Sequence, residues 1–585
     1  MEDMIWTQGD LSEQYRIINS LIKEQLFHES TLITENNHYI NIQYRAHILQ
    51  IRVKYKGALA RYTFSGKIKY RRGHQETVID NCEELLEVLR TRFDLNIAKD
   101  LYDELISSRD GFVMTYRQFE SRKSTIQATM KYARLPMALN FIGWLHHMQH
   151  TNSLDTLTYS ESLGFEGHPT HPLSKTKLSL SEQDIKRYAP EFERVIPLNI
   201  MLIRKDVAHA SSMRSDEQFI LKYVIPDYRY KLRAFIEPLN KDLEDYFVIF
   251  VHPWQYHNII VKRFISWMDQ CKLIPTPFTI DSKATLAFRT MSLIDRPYHV
   301  KLPVNIQMTS AVRTVGAATT MDGPRLSYQL QELAHSYPNF QIAKEPYGIH
   351  AVTKDDDERQ LACIIRQKPS FNQQGIALVS ASLVNINPID NRNILESYLE
   401  WVGDGVCQRS VEHFIQTYAQ QLIRPLIAYI QRYGVALEAH MQNTVVQLGP
   451  NYEMGFLIRD IGGARIDLTS LSKVVRDVKL NNQSLIAHDI KEVIQKFQHA
   501  IIQNQFGELI HHLAQYDYID ERKLYRIVQE TIDQAIDDSR PHAQALRAYL
   551  FGQTITVKSL LRMRMEQRVK KYKVIDLDNP IRKEV

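Results

Sequence analysis

The sequence predicts an α+β protein made of three regions, with mixed and antiparallel sheets and a largely helical C-terminal region. Its 585 residues are about four times the usual length of a single domain, which favours several packed units. The hydrophobic fraction of 44% and the charged fraction of 24% are those of a globular chain. Along the chain, the hydrophobic pattern changes between the period of helices and that of strands. We therefore expect units at residues 1–190, 191–395 and 396–585.

The first unit begins with an amphipathic pattern over residues 1–36, continues as a hairpin or meander over 38–70, and becomes helical over 82–150. The outer face of the meander is basic. Such a face suits either nucleic acid or water, and we adopt the solvated surface because the net charge is only +5. The basic residues of this face are Lys54, Lys56, Arg61, Lys67, Lys69, Arg71 and Arg72.

The second and third units differ in their balance of strand and helix. A loop rich in Pro, Gly and His over residues 163–175 interrupts the helical pattern, and short apolar runs typical of strands follow it. From about residue 390 the pattern is mostly helical. The expected elements are strands in RVIPLNIMLI, DYFVIFVHPWQ, LACIIRQKP and GIALVSASLVNI, alternating loop and strand over 277–315, an acidic linker or hairpin tip over 353–360, a hairpin over 435–460, and helices over 484–515, 521–537 and 541–570.

The cysteines and the hydropathy pattern exclude several classes of protein. Cys82, Cys271, Cys363 and Cys407 show no CxxC spacing, which argues against a disulfide framework and a thiolate zinc site. No stretch approaches the ~18 apolar residues of a membrane helix, and no secretory leader pattern opens the chain. We expect a cytoplasmic protein that does not span a membrane and has no nucleic-acid partner.

The hairpin over residues 435–460 is the most informative segment. A strand after Gly434 would place alternate polar residues on one face, and a turn centred on residue 450 would bring Asp460 opposite His440. Carboxylates are ligands that Mg²⁺ prefers, while amides and protonated imidazole donate hydrogen bonds to phosphate. The alternative is a solvated strand face. The polar residues concerned are Glu438, His440, Gln442, Asn443 and Asp460.

Two Arg-Thr pairs recur 24 residues apart, at Arg289-Thr290 and Arg313-Thr314, with Lys301 midway between them. Guanidinium groups bind carboxylate or phosphate through two parallel hydrogen bonds, and a neighbouring hydroxyl adds a donor. The pattern predicts an anion cradle; two surface strands are the alternative.

The loop GHPTHPLSK carries His168, His171 and Lys175 between stiffening prolines, which would present these side chains as a preorganised anion site. Zinc is the rival interpretation, because His146 and His150 have the i,i+4 spacing of ligands on a helix. No HExxH motif accompanies them, so surface histidines are the simpler interpretation.

Common nucleotide motifs are absent: there is no GxxxxGK[ST], no GxGxxG after a strand, no HRD or DFG pair and no GxSxG. If this chain uses ATP, its nucleotide site is therefore of another kind.

Taken together, several segments resemble the NRPS-independent siderophore (NIS) synthetases of the aerobactin synthetase (IucA/IucC) type. They cover most of the chain in the family's order: GHPTHPLSK, VHPWQ, the two Arg-Thr pairs around KLP, ACIIRQKP, LEAHMQN and RDIGG. The resemblance implies a cupped hand with a thumb at 1–190, fingers at 191–395 and a palm at 396–585, usually as a homodimer. It also implies ATP and Mg²⁺ as cofactors, with activation of a carboxylate of citrate or a related acid and transfer of the acyl group to an amine or alcohol.

Site residues follow from the resemblance position by position. The catalytic group would be Arg313, Lys301 and His440. The acid would be bound by His168, His171, Lys175, Arg289, Thr309 and Arg313. ATP would be bound by Thr285, Arg289, Thr290, Lys301, His440, Gln442, Asn443 and Asp460. The metal ligands would be Glu438 and Asp460.

The chain departs from the family pattern at four positions. Leu286 and Ala287 stand where relatives often have two serines, Ser179 where Gly is common, and Gln367 where Glu is common. The first departure removes two hydroxyls near the nucleotide or the acid, so the acid and the amine are left open.

We expect a siderophore biosynthesis enzyme that adenylates citrate or a citrate derivative and condenses it with an amine or alcohol. Alternatives are the same chemistry on 2-oxoglutarate and a noncatalytic protein that binds small polycarboxylates. An RNA-binding protein would use the basic residues at 54–72 and should show aromatic stacking platforms. The paired hairpin carboxylates favour the enzyme.

Overall fold

The structure is a computed structural model. It describes residues 2–36, 38–133, 135–136, 139–168, 170–213, 216–308, 311–371, 374–476, 478–567 and 573–583. No helix within these ranges is long and apolar enough to cross a membrane.

The N-terminal part is a five-stranded antiparallel meander, in the order β1-β2-β3-β4-β5, covered by long helices. Local signals fix several helix starts; for example, Asn81 caps α2 by accepting a hydrogen bond from the backbone N–H of Glu84. The helices are α1 Glu2–Lys23, α2 Cys82–Arg92, α3 Lys99–Tyr132, α4 Phe141–His150, α5 Thr156–Ser160 and α6 Glu182–Tyr188. The strands are β1 Leu32–Glu35, β2 Tyr39–Tyr44, β3 His47–Gly57, β4 Arg61–Arg72, β5 Gln75–Val78 and β6 Lys177–Leu178.

The middle part is an eight-stranded sheet in the order β8-β16-β17-β12-β11-β10-β7-β9, with β14-β13-β6 as a small sheet beside it. The strands of this stretch of the chain are β7 Ile196–Arg204, β8 Ala208–Ser212, β9 Tyr246–Val251, β10 Leu273–Ala284, β11 Thr290–Leu293, β12 Tyr298–Lys301, β13 Val304–Met308, β14 Ala311–Arg313, β15 Phe340–Ile342, β16 Tyr347–Ala351, β17 Ala362–Gln367 and β18 Ile376–Val379. Of these, β15 and β18 join the four-stranded sheet of the C-terminal part. The helices of this stretch are α7 Arg229–Ile236, α8 Pro253–Gln255, α9 Val261–Arg263, α10 Ile265–Asp269 and α11 Ala317–Leu333.

The C-terminal part packs helices around a four-stranded sheet in the order β15-β21-β20-β18, in which only β15 and β21 are parallel. The helices are α12 Ile394–Trp401, α13 Gln408–Tyr433, α14 Leu468–Leu471, α15 Ile490–Phe497, α16 Gly507–Leu513, α17 Glu521–Ala535, α18 Ala543–Leu550 and α19 Leu560–Met565, with a π-helical turn at Gln498–Phe506. The strands are β19 Val435–Ala436, β20 Thr444–Leu448, β21 Met454–Ile458, β22 Arg465–Ile466, β23 Thr554–Lys558 and β24 Val574–Asp578.

Three main hydrophobic cores underlie these parts. One lies under the meander, one packs against the eight-stranded sheet, and the largest joins the C-terminal helices to residues of the N-terminal part such as Leu59, Phe119 and Phe165. Helices of the predicted first unit therefore contribute to the C-terminal core. The α+β class is confirmed, and the boundaries at 190 and 395 stay a prediction.

Two helix predictions are wrong at their ends. The first helix stops at Lys23 instead of residue 36, because the β-branched segment Leu32–Glu35 pairs with β2 as an edge strand. The expected final helix over 541–570 is divided: Thr554–Lys558 alternates apolar and polar residues and pairs with β24. The meander, the helices after residue 82 and the hairpin tip over residues 353–360 are confirmed.

Candidate active site

The first Arg-Thr pair lies where β10 turns into β11. The backbone N–H of Thr285 donates to the carbonyl of Thr290 at 2.9 Å, which closes a tight loop, and Phe288 adopts a left-handed conformation with φ 64°. Arg289 leaves this loop beside β12, and Thr290 is the cross-strand neighbour of Lys301. The short hairpin therefore places Arg289 and Lys301 at the same end of two neighbouring strands, β11 and β12.

Lys301 binds Asp460 from the C-terminal part. The Lys301 Nζ lies 2.8 Å from each Asp460 carboxylate oxygen, and an Arg366 nitrogen lies 3.8 Å from Oδ1. Burial alone would raise the pKa of Asp460, but Lys301, Arg366 and Arg289 outweigh it and hold the pKa well below its usual range. Glu345 accepts two hydrogen bonds from Arg366, at 3.1 and 2.7 Å. Asp460 is therefore ionised and joins the two walls of a cleft.

The loop after β21 packs closely against a second carboxylate, that of Glu438. Asp460 has left-handed backbone angles of φ 64° and ψ 79° and begins a turn over Ile461–Gly463. A Cβ on Gly463 would collide with the Glu438 carboxylate. Glycine at position 463 thus lets the turn approach Glu438 closely.

The predicted register of the 435–460 hairpin is wrong. Of residues 435–443, only Val435–Ala436 forms a strand, and the pairing of Val446 with Phe456 centres the hairpin on residue 451. The chain turns between these strands because Asn443 donates from its backbone to the His440 carbonyl at 2.9 Å and from Nδ2 to the Glu438 carbonyl at 3.1 Å. These local hydrogen bonds of Asn443 replace the strand pairing that the alternation of apolar and polar residues had predicted.

The polar groups of this turn nevertheless reach the cleft. Lys496 donates to Glu438 at 2.9 Å. Burial lowers the pKa of His440, while Glu438 and Asp460 are near enough to oppose that shift. His440 is therefore a neutral imidazole at pH 7 with two carboxylates nearby. The sequence predicted that these side chains come together, but a turn and not a strand places them.

The two arginines of the Arg-Thr pairs share the cleft. Arg289 donates to the Thr314 carbonyl. Burial lowers its pKa to about 10, with Arg313 and Arg366 acting in the same direction against Asp460. Burial also lowers the pKa of Arg313, and Asp460 and Glu438 oppose the shift. Both guanidinium groups remain charged at pH 7.

The histidine loop is divided between the cleft and the interior. His171 is buried and accepts a hydrogen bond from the Leu173 backbone at 3.0 Å; burial and the nearby Arg313 lower its pKa to about 4. The His168 ring lies 6.0 Å from that of His171 and is exposed. Lys175, in contrast, donates to Glu191 at 2.6 Å and to the Gly164 carbonyl at 2.7 Å, with 2% of its side chain exposed. The structure therefore brings the two histidines to the cleft and Lys175 into a structural ion pair.

The remaining predicted residues have mixed placements. The Thr285 hydroxyl is fully buried, with no hydrogen-bond partner among the described residues. Gln442 is half-buried at the turn, and its backbone carbonyl accepts from Arg459. Thr309 lies outside the described residues.

A second cationic group lies near Glu438 and was missed by sequence reasoning. Lys496 on α15, Arg465 on β22 and the half-buried Lys558 on β23 all act electrostatically on one another or on Glu438. Gln503 holds β23 at this position. Its Oε1 accepts a hydrogen bond from Nδ1 of His499 at 3.2 Å, and its Nε2 donates to the Thr556 carbonyl at 2.8 Å. Burial and Lys496 lower the pKa of Lys558 to about 8. No spacing motif links these residues, so only the fold reveals the group.

The four departures have clear local settings. Leu286 fills the space above Gly164, where a Cβ would collide with the leucine Cδ1, and Ala287 is half-buried beside it. Ser179 has φ 77°, a left-handed conformation that glycine adopts without strain. Gln367 donates its backbone N–H to the Lys344 carbonyl at 2.9 Å. The lost hydroxyls are thus replaced by an apolar contact.

The histidine pair considered for zinc forms a hydrogen bond of its own: His146 and His150 lie 3.0 Å apart at their Nε2 atoms on the exposed side of α4. Within the described ranges, no three His, Cys, Asp or Glu residues are grouped to hold a metal ion. The cleft suits anions, because five cations surround it with two carboxylates between them. These cations are Arg289, Lys301, Arg313, Arg366 and Lys496.

Comparison with known proteins identifies relatives that cover the whole chain. The family model described as "IucA / IucC family" matches residues 156–385, and the model described as "Ferric iron reductase FhuF-like transporter" matches residues 412–573. Staphyloferrin A synthase of Staphylococcus aureus is 54% identical over 580 residues, 99% of both chains. D-ornithine–citrate ligase of the same species is 27% identical over 469 residues, 74% of this chain and 71% of the ligase.

Solved structures show the same fold. The petrobactin biosynthesis protein AsbB of Bacillus anthracis superposes with a TM-score of 0.77 at 20% identity, covering 99% of this chain and 96% of that one. ATP-bound aerobactin synthetase IucA of Klebsiella pneumoniae superposes with a TM-score of 0.76 at 17% identity, covering 98% and 100%. With a relative more than half identical along its whole length and the cradle inside the matched family segment, the chain belongs to the IucA/IucC family of NRPS-independent siderophore synthetases.

Proposed function

We propose that this enzyme uses ATP to activate a carboxylate of citrate, or of a citrate derivative, as an acyl-adenylate and then joins it to an amine or alcohol. The observation that carries the proposal is the convergence of Arg289, Lys301 and Arg313 with Asp460 and Glu438 in one cleft. Preorganised cations of this kind stabilise the charge that adenylation concentrates on phosphate. Relatives named as citrate ligases support citrate over 2-oxoglutarate.

The two cationic groups suggest a division of binding. Arg289, Thr290 and Lys301, with the turn at His440, would hold the phosphates of ATP. Arg313 with His168 and His171 would bind the acid, and Lys496 with Lys558 and Arg465 would bind a second carboxylate of the same acid or of the acceptor. A polycarboxylate needs several cations, because each buried carboxylate must be paired to offset its desolvation.

Mg²⁺ fits the carboxylates that the cleft offers. Asp460 and Glu438 each have one lysine partner, and Asp460 keeps 24% of its side chain exposed. Mg²⁺ is commonly held by one or two carboxylates together with substrate phosphates, so these two residues would be its protein ligands. Bound there, the ion would neutralise phosphate charge.

Two bond exchanges make up the proposed reaction. In the first, a carboxylate oxygen attacks the α-phosphorus of ATP, the bond to the β-phosphate oxygen breaks, and pyrophosphate leaves. In the second, the amine nitrogen attacks the acyl carbon, the bond to AMP breaks, and the nitrogen loses a proton. His440 would accept this proton, because burial keeps its imidazole neutral.

The deciding experiment measures AMP and pyrophosphate release with ATP, Mg²⁺ and a panel of acids, using hydroxylamine to trap the acyl-adenylate as a hydroxamate. We expect citrate or a citrate amide to react and 2-oxoglutarate to be inactive. Lys301→Ala should lower kcat/KM by on the order of 10², whereas Lys67→Ala, which removes an exposed lysine paired with Asp80, should not. Formation of ADP and phosphate would contradict the adenylate, and no turnover with any polycarboxylate would contradict the function.

The family also suggests a homodimer located in the cytoplasm, and we include both in the proposal. Light scattering on the purified protein and fractionation of cells that express it would test them.

A further inference from the structure

A buried ion pair lies behind the cleft, between the turn at Glu161–Leu163 and the end of β21. Glu161 is fully buried, and both of its oxygens accept hydrogen bonds from Arg459, one of them at 3.1 Å. The same carboxylate accepts the backbone N–H of Leu286 at 2.9 Å. Glu161 therefore anchors the loop that leads directly to Arg289.

Arg459 reaches a third segment. Its Nε and Nη2 donate to the backbone carbonyl of Gln442, at 3.2 and 2.8 Å, and its own backbone N–H donates to the Asn443 carbonyl at 2.9 Å. Arg459 directly precedes Asp460, the partner of Lys301. The guanidinium of Arg459 thus connects Glu161 with the turn that carries His440, and its own backbone continues directly into Asp460.

Both members of the pair are buried, with Glu161 0% exposed and Arg459 4% exposed, and the hydrogen bonds described above hold them to protein groups. A buried ion pair is a weak source of stability, because desolvation of both charges offsets their attraction. Its distinctive property is geometric: the planar guanidinium has donors at fixed angles and can satisfy a carboxylate and a carbonyl at once. This suits a connection that fixes distances between segments.

We propose that Glu161 and Arg459 are positioning residues that hold the two walls of the nucleotide site at a fixed spacing. One wall is the loop with Arg289, and the other is the turn with His440 together with Asp460. This inference rests on the proposed function. Because adenylation needs the phosphates placed between these walls, a small shift of either wall should reduce turnover, with a misplacement of about 1 Å costing on the order of 10²-fold.

The test compares variants of the pair with a matched control. Glu161→Gln keeps an acceptor for Leu286 and removes the charge, and Arg459→Lys keeps the charge and removes the fork. The control is Asp10→Asn, because Asp10 is also a buried carboxylate that accepts from an arginine, Arg109 at 2.7 Å, and from a backbone N–H, that of Cys82 at 2.9 Å. Asp10 belongs to α1 in the N-terminal part, and these two hydrogen bonds connect it to α2 and α3.

Steady-state kinetics and hydrogen–deuterium exchange give two readouts, taken well below each variant's melting temperature. We expect Glu161→Gln and Arg459→Lys to raise KM for ATP and lower kcat, to on the order of 10²-fold in kcat/KM, and to speed amide exchange at 285–290 and 440–444. Asp10→Asn should leave the kinetic constants and the exchange of these two segments unchanged, although its melting temperature should fall by a similar amount. If Glu161→Gln does not fold, Arg459→Lys decides by the same criteria.

Losses of activity equal to those of Asp10→Asn, or unchanged exchange at both segments, would overturn the positioning role. The two readouts also separate this inference from the proposed function. Wild-type protein without pyrophosphate release would contradict the adenylation, while the exchange comparison would still decide whether the pair fixes the two walls.

Discussion

Replacing Asp460 with asparagine separates the charge of this carboxylate from the shape of its loop. Asparagine tolerates the left-handed backbone at φ 64° and keeps an oxygen of similar position. The substitution leaves Lys301, with 6% of its side chain exposed, without the carboxylate that lies 2.8 Å away. Breaking a buried pair costs about 3–5 kcal/mol, and the 24% exposure of Asp460 places the expected loss near the lower end.

The pH range of this cost follows from the direction of the pKa shift. A carboxyl whose pKa is depressed in the fold stabilises the protein above its unfolded pKa and loses this contribution only as the pH falls through the folded value. At pH 7 the full effect of Asp460 is therefore present. Urea unfolding at pH 7 should show a loss of about 3 kcal/mol in the variant.

Activity gives the second readout for Asp460→Asn. We expect kcat/KM for adenylation to fall by on the order of 10², and the Mg²⁺ concentration for half-maximal rate to rise, because a strong oxygen ligand is lost. Asp460→Ala should add about 1–2 kcal/mol of left-handed strain without a larger loss of activity. Asp80→Asn, at the exposed partner of Lys67, serves as the control. Unchanged Mg²⁺ dependence together with wild-type stability would refute the assignment of this carboxylate to the site.

Three further changes test other charges. Arg313→Ala should lower kcat/KM by on the order of 10² with little change in melting temperature; wild-type kinetics would assign the residue to a surface role. Since the pKa of Lys558 is about 8, KM for citrate should rise as the pH passes from 7 to 9, and Lys558→Arg should remove this dependence; a rise that persists in the variant would exclude Lys558 as its source. Burial raises the pKa of Glu13 to about 8, so the free energy of unfolding should fall as the pH rises from 5 to 8, by up to about 1.4 kcal/mol for each step of one in pH. In urea unfolding, the free energy of unfolding of Glu13→Gln should depend less on pH than that of the wild type. The same pH dependence in both proteins would show that another group binds the proton.

The cradle could be predicted from the sequence because its members are local. Arg289, Lys301 and Arg313 lie within 25 residues. A short hairpin joins the first two, and Arg313 pairs with Val304, which follows Lys301 closely in the chain, so the three side chains must lie near one another. The same reasoning failed for Glu438 and His440. Alternation of apolar and polar residues looked like a strand, but Asn443 closes a turn through its own amide, which the periodicity does not reveal.

The rest of the site depends on contacts between distant segments. Lys496 and Lys558 belong to a helix and a terminal hairpin, and their approach to Glu438 follows from packing that no spacing encodes. Lys175 illustrates the opposite error. It belongs to a loop with the composition of an anion site, yet its ammonium group forms a buried ion pair with Glu191 and is not available to a ligand. Sequence identified residue types suited to the chemistry, whereas burial and pairing decided which of them reach the cleft.

Because Leu286 packs directly against Gly164, a substitution at one of these positions affects which residues the other can accept. Leu286 occupies the volume that a side chain at position 164 would need, so shortening it to serine would leave a cavity beside the loop that leads to Arg289. Cavities of this kind cost about 2–5 kcal/mol when nothing fills them. An engineer who restores the hydroxyl of other synthetases at position 286 should therefore change Gly164 to alanine in the same step, and acceptor preference is best compared between such paired variants.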